Sequence, residues 1–212
     1  MRNNEKTLVT EYLATQNYQG IVELGRKNNA RVLRYVQMNI WGDYRNTQRW
    51  YAISALEKLA EAYSGEYDEC YRNVIRRAVW AMADESGNVP WAAPEMMTAI
   101  IKANPLQYGE FIKIMITNGL DSPMCHLGVL WSVGYLGKAY FSQIEPYMKR
   151  LTKFLEHKDG ELRGTAVWAM KRLQYVPAFA KIDDMAEDNG ECWIYEDSIL
   201  QKKTISQIVR EG

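Results

Sequence analysis

The densest set of chemically capable side chains is one polar stretch, Asp84-Glu85-Ser86-Gly87-Asn88-Val89-Pro90-Trp91-Ala92-Ala93-Pro94-Glu95, between two apolar helix-patterned segments. Two prolines stiffen it, and binding residues concentrate on loops of this kind held by a rigid scaffold. Asp84, Glu85 and Glu95 could gather as a carboxylate group for a cation or for general acid–base work, with Asn88 and Trp91 beside them. Capping explains the same residues without a site: an acid just after Pro94, as Glu95 is, favours the helix dipole. Both readings stay open.

Tryptophan is the second signal, seven in 212 residues. Ala78-Val79-Trp80-Ala81-Met82 matches Val129-Leu130-Trp131-Ser132-Val133 and Ala166-Val167-Trp168-Ala169-Met170, and Ala52-Ile53-Ser54-Ala55-Leu56 is an earlier copy with serine in the tryptophan slot. Small residues alternate with large apolar ones, so two helices can approach closely while bulky side chains fill the groove. Interhelical core is the simpler reading of Trp80, Trp131 and Trp168. The functional one is an aromatic ladder that holds a peptide or extended ligand. A buried indole still needs a partner for its N–H.

His126 beside Cys125 invites a nucleophile hypothesis. Neighbouring helical residues point about 100° apart, so this pair cannot form a dyad by itself. His126 reads better as a satisfied inner-face residue, and His157 as a surface residue near a helix end. Two histidines far apart in sequence make a His-rich metal site a poor expectation. The three cysteines form no CxxC, which suggests neither zinc nor a disulfide framework. Glycine-loop nucleotide motifs and HExxH are missing from the sequence, so no catalytic residue, metal or cofactor is expected.

Formal net charge is zero, from 26 basic and 26 acidic residues. That argues against nucleic acid as a partner, since non-specific affinity depends on phosphate neutralisation. The first fifty residues lean basic, eight Lys or Arg against four Asp or Glu, which suits a solvated helix face. Neither a signal peptide nor an 18-residue apolar run is visible, so the expectation is a cytoplasmic protein with no membrane segment.

The elements that would position these residues are mostly helices, because apolar residues recur at i, i+3, i+4 and i+7. The spacing predicts helices near 5–14, 18–27, 30–41, 47–62, 68–84, 94–103, 105–117, 123–136, 141–157 and 161–173, with a shorter one before Asn189. Asn46 and Asp121-Ser122 supply starts, and Ser64-Gly65 and Asn118-Gly119 supply stops. Cys192–Tyr195 and Ile199–Lys202, flanking Glu196-Asp197-Ser198, predict a β-hairpin packed as a cap, followed by a turn or two of helix over Thr204–Arg210.

Arg49-Trp50-Tyr51-Ala52-Ile53-Ser54-Ala55-Leu56 fits the string Arg-x-x-Ala-x-x-Ala-Leu, and Arg163-Gly164-Thr165-Ala166-Val167-Trp168-Ala169-Met170 fits it with Met for Leu. Over roughly residues 45–187 the chain therefore resembles HEAT repeats of the phycobilisome-lyase type. The copies at Trp80 and Trp131 depart from the pattern, with Ile75 and His126 in the arginine slot. The Trp131-to-Trp168 offset of 37 residues lies in the two-helix repeat range, and the other offsets are irregular. The chain is also similar to bacterial HEAT-like proteins, a resemblance that transfers no activity.

The resemblance implies an all-α, right-handed α-α superhelix of HEAT/armadillo-like solenoid type over residues 1–190. Residues 191–212 form its hairpin-and-helix cap. It implies a non-enzymatic scaffold that holds another protein or peptide on its concave face. Trp80, Asp84, Glu85, Asn88, Trp91, Glu95, His126, Trp131, Arg163 and Trp168 are the candidate binding residues. HEAT-like glycosylases for alkylated bases and chromophore lyases are the enzymatic alternatives. The first would need Trp80, Asp84, Trp91 and Trp131 around a cationic base.

Overall fold

The computed structural model describes residues 2–83 and 92–211, and they are mostly helical. The chain divides into two compact units, Met1–Phe111 and Ile112–Gly212, a boundary the sequence does not announce. Among the described residues no helix is long and apolar enough to cross a membrane.

In the first unit α1 (Arg2–Ala14) and α2 (Tyr18–Met38) pack on α3 (Thr47–Tyr63), while α4 (Asp68–Ala83) packs on α5 (Ala93–Ala103), which also lies against α3. Local chemistry sets most of the ends. Asn46 caps α3 by accepting from the Gln48 amide at 2.9 Å. The two helices expected at 18–27 and 30–41 are one element with a break at Asn28 (φ −159°, ψ 81°), whose side chain accepts from the Arg31 amide as a cap for the second half. α5 is buried on every side from Ala93 to Ile101, Glu95 and Thr98 included. Before α6 (Pro105–Tyr108), Asn104 is the last residue outside a helix, and that short helix ends at Gly109.

The second unit is built on α11 (Gly160–Arg172), which packs against α8 (His126–Leu136), the hairpin strand β1 (Glu191–Glu196) and α13 (Ile205–Arg210). Three expectations change here. α7 (Phe111–Asp121) runs through Asn118-Gly119, because buried Ile112, Met115, Ile116 and Leu120 extend its packed stripe past the glycine. A single helix over 105–117 is therefore replaced by α6 and α7. The expected 141–157 helix is a series of short turns, α9 (Phe141–Ile144) and α10 (Met148–Leu151) joined by 3₁₀ segments. Pro146, which lacks an N–H, sits in the 3₁₀ turn between them.

The hairpin forms as expected. β1 pairs antiparallel with β2 (Ile199–Thr204), and the connecting Asp197 and Ser198 both take positive φ, 49° and 65°. That is the backbone twist a two-residue hairpin turn demands. Thr204 opens α13 with a capping box to Gln207. Between Phe179 and Asp183 lies the short α12.

Candidate functional site

In each copy of the arginine string the arginine pairs with a carboxylate of its own unit. In the first unit Arg49, near the start of α3, is 2% exposed and Glu95, in the first turn of α5, is 0% exposed. The Arg49 guanidinium donates to Glu95 Oε1 at 2.5 Å and to the Gly42 carbonyl at 3.0 Å. It also lies over the rings of Tyr44 and Trp50, at 5.5 and 5.8 Å from their centroids. Gly42 presents its carbonyl at φ +149°, a backbone state that suits glycine. Trp50 Nε1 donates to the Tyr44 carbonyl at 2.7 Å and so locks the wall of this chamber.

Glu95 Oε2 has no hydrogen-bond partner, and neither has Thr98 Oγ1 one turn on. Burial pushes the Glu95 carboxyl above its ordinary range, while the Arg49 charge pulls it back. Glu95 is therefore not a solvent-facing cap; its charge partner is the buried Arg49. Asp84, Glu85, Asn88 and Trp91 lie outside the described residues.

In the second unit Arg163 makes a two-pronged pair with Asp188, Nε to Oδ2 at 2.7 Å and Nη2 to Oδ1 at 3.0 Å. Its Nη1 donates to the His157 carbonyl at 2.6 Å. Asp188 also accepts from the Gly190 amide at 2.8 Å. These bonds, Arg163 first, hold the Asp188 carboxyl below its ordinary range. Arg163 thus ties the turn before α11 to the turn before β1. Four of its five N–H groups are committed to the fold in this way.

The tryptophans separate. Trp80 is 69% exposed, whereas Trp131 is 1% and Trp168 4% exposed. α4 buries Tyr71, Val74, Ile75, Ala78 and Met82 as one stripe, and Trp80 lies off it. α11 is covered on several sides, so residues 164–170 are all buried and Trp168 has no solvent face. The indole of Trp168 packs on Gly134 of α8, where an added Cβ would stand 2.3 Å from Cζ3. Trp131 stacks on Tyr135 and donates Nε1 to the Tyr195 carbonyl at 2.9 Å. Trp131 and Trp168 are core, the simpler of the two readings, and Trp80 alone of the three is exposed, so the three do not form a ladder of exposed indoles.

Cys125 is buried, as is Cys192, whose thiol burial pushes up to about 12. His126 is half-buried and lines a cleft with Arg150, Lys153, Phe154 and His157. None of the last four is a candidate on sequence grounds. Their spacing from 150 to 157 follows i, i+3, i+4, i+7, but a basic stripe of that kind reads as a solvated face.

Comparison with known protein families, with curated proteins and with solved structures returns no match.

Proposed function

We propose that this chain is a non-enzymatic interaction module of HEAT-like helical hairpins, arranged as a right-handed superhelix, that grips another protein or peptide with its first unit. The architectural part is supported by Arg49 and Arg163. Each stands near the start of a helix, donates to the carbonyl of the turn before it, and pairs with a carboxylate far along the chain.

The binding part rests on Trp80, placed 69% in solvent by a helix that buries its other apolar stripe. An exposed indole is a large apolar surface with a polar handle, the residue type that most often anchors a protein interface. The glycosylase-like alternative loses support, because Trp131 is enclosed in the core of the second unit and cannot meet a base.

Trp80→Ala tests the reading. Removing an exposed side chain should change unfolding free energy by less than about 0.5 kcal/mol. Affinity capture from the native host should return a specific protein with the parent chain and lose it with the variant. Capture that survives the substitution, or no protein that distinguishes the parent from a control, overturns it.

A further inference from the structure

The second unit holds a cleft of about 200 Å³ lined by Leu120, His126, Arg150, Lys153, Phe154 and His157. Both histidines of the chain meet there. The His126 ring stands edge-on to Phe154 with centroids 4.9 Å apart, and the His157 ring lies 6.0 Å from the same phenyl. One segment explains the convergence. Met148, Leu151 and Leu155 are buried, and Arg150, Lys153, Phe154 and His157 repeat at helical spacing on another stripe. Leu120 lies near the end of α7 and His126 opens α8. His126 Nε2 sits 3.0 Å from the Leu120 carbonyl, so that nitrogen carries the hydrogen.

The donors around the cleft are largely uncommitted. Lys153 is exposed and has no ion-pair partner among the described residues. Arg150 gives one N–H to Asp121 at 2.7 Å, in a pair exposed on both sides. Exposed pairs of this kind exchange partners at little cost. His157 Nδ1 accepts from the Asp159 amide at 3.1 Å, which leaves the hydrogen of the neutral ring on Nε2.

We infer that this cleft binds a phosphate monoester with a short apolar or aromatic stem, its oxygens held by Arg150, Lys153 and His157 and its stem laid against Phe154 and Leu120. Arginine as a fork and lysine as a point charge both suit phosphate, whose three terminal oxygens use more donors than a carboxylate has room for. The same cations repel a metal ion. Among the described residues, moreover, no group of three or more His, Cys, Asp or Glu could hold one. The volume lies below the roughly 300–1,000 Å³ of sites that enclose drug-sized ligands, so the cleft takes a charged group on a stem rather than a whole nucleotide. This site is independent of Trp80, which lies in the other unit.

Isothermal titration of the full chain with phenyl phosphate tests the assignment. Saturable one-to-one binding is expected, weakened about tenfold by Lys153→Ala and by Arg150→Gln separately. Both positions are exposed, so melting temperature should stay at the parent value. Inorganic phosphate, which lacks the stem, should bind more weakly than phenyl phosphate. A phosphotyrosine peptide that binds tighter than phenyl phosphate supports the inference with a partner's phosphorylated side chain as the source. Equal or weaker peptide binding supports it with a free phosphomonoester. No saturation by phenyl phosphate, unchanged affinity in both folded variants, or benzoate binding as tightly, overturns it.

Discussion

Arg49 and Arg163 open the same eight-residue string, and their surroundings push the partner carboxylates in opposite directions. Glu95 is fully buried with one oxygen unpartnered, and desolvation raises it. Asp188 keeps 22% exposure and collects hydrogen bonds from Arg163 and the Gly190 amide, which lower it. A recurring arginine thus reports a recurring geometry at the helix start and leaves the energetics of the pair open. Burial sets those: desolvation is the largest influence on Glu95, whereas the Arg163 hydrogen bond is the largest on Asp188.

The largest effect should come from breaking the buried pair unevenly. Glu95→Ala strands a guanidinium that cannot deprotonate, and should cost about 3–5 kcal/mol in urea unfolding. Arg49→Met leaves an acid already displaced toward its neutral form, and should cost about 1–3 kcal/mol. Equal costs would remove the asymmetry on which the comparison stands.

Gly134→Ala probes the second unit alone. The aligned slot of the two strings holds half-buried Ser54 in one and buried Trp168 in the other, and only the latter needs a glycine opposite. The added methyl should cost about 1–3 kcal/mol. Trp168→Phe should recover part of it in a double-mutant cycle, because Trp168 Nε1 has no hydrogen bond to lose. Additive costs would mean that the glycine and the indole do not limit each other.

The smallest effects, and the sharpest in sign, lie in pH dependence. Asp188 is lowered from an ordinary value of 3.8. Its stabilisation is therefore complete above that value and fades as pH falls through the folded one. Glu95 is raised from 4.5, so its contribution is complete below that value and fades as pH rises through the folded one. Asp188→Asn should trail the parent at neutral pH and converge with it in acid. Glu95→Gln should gain on the parent as pH rises. Curves for the two variants that move in the same direction would contradict the opposite shifts.

Much of this fold is legible along the chain, because helix ends and tight turns are made by neighbours. Asn46, Asp159 and Thr204 each accept an amide hydrogen within three residues, and Asp197-Ser198 turns the hairpin with no distant help. Gly119 shows the limit, since its stop signal yields to the packed stripe of α7. The candidate sites were legible as residue types and hidden as arrangements. Glu95 was visible as an acid after a proline, but its partner lies 46 residues away. The basic stripe from Arg150 to His157 was visible as charge, while its closure by Leu120 and His126 needed other elements brought against it.

The sequence by itself determined the helical class, most helix starts, the C-terminal hairpin and the recurrence of an arginine string, all matters of period and of contacts within a few residues. Only the tertiary structure decided that Trp80 is exposed while Trp131 and Trp168 are buried, and that Glu95 is dry while Asp188 is wet. The physical reason is that exposure depends on what covers the far side of a helix. α4 leaves Trp80 off its buried stripe, whereas α11 is covered by α8, β1 and α13, and nothing in either phrase encodes that difference.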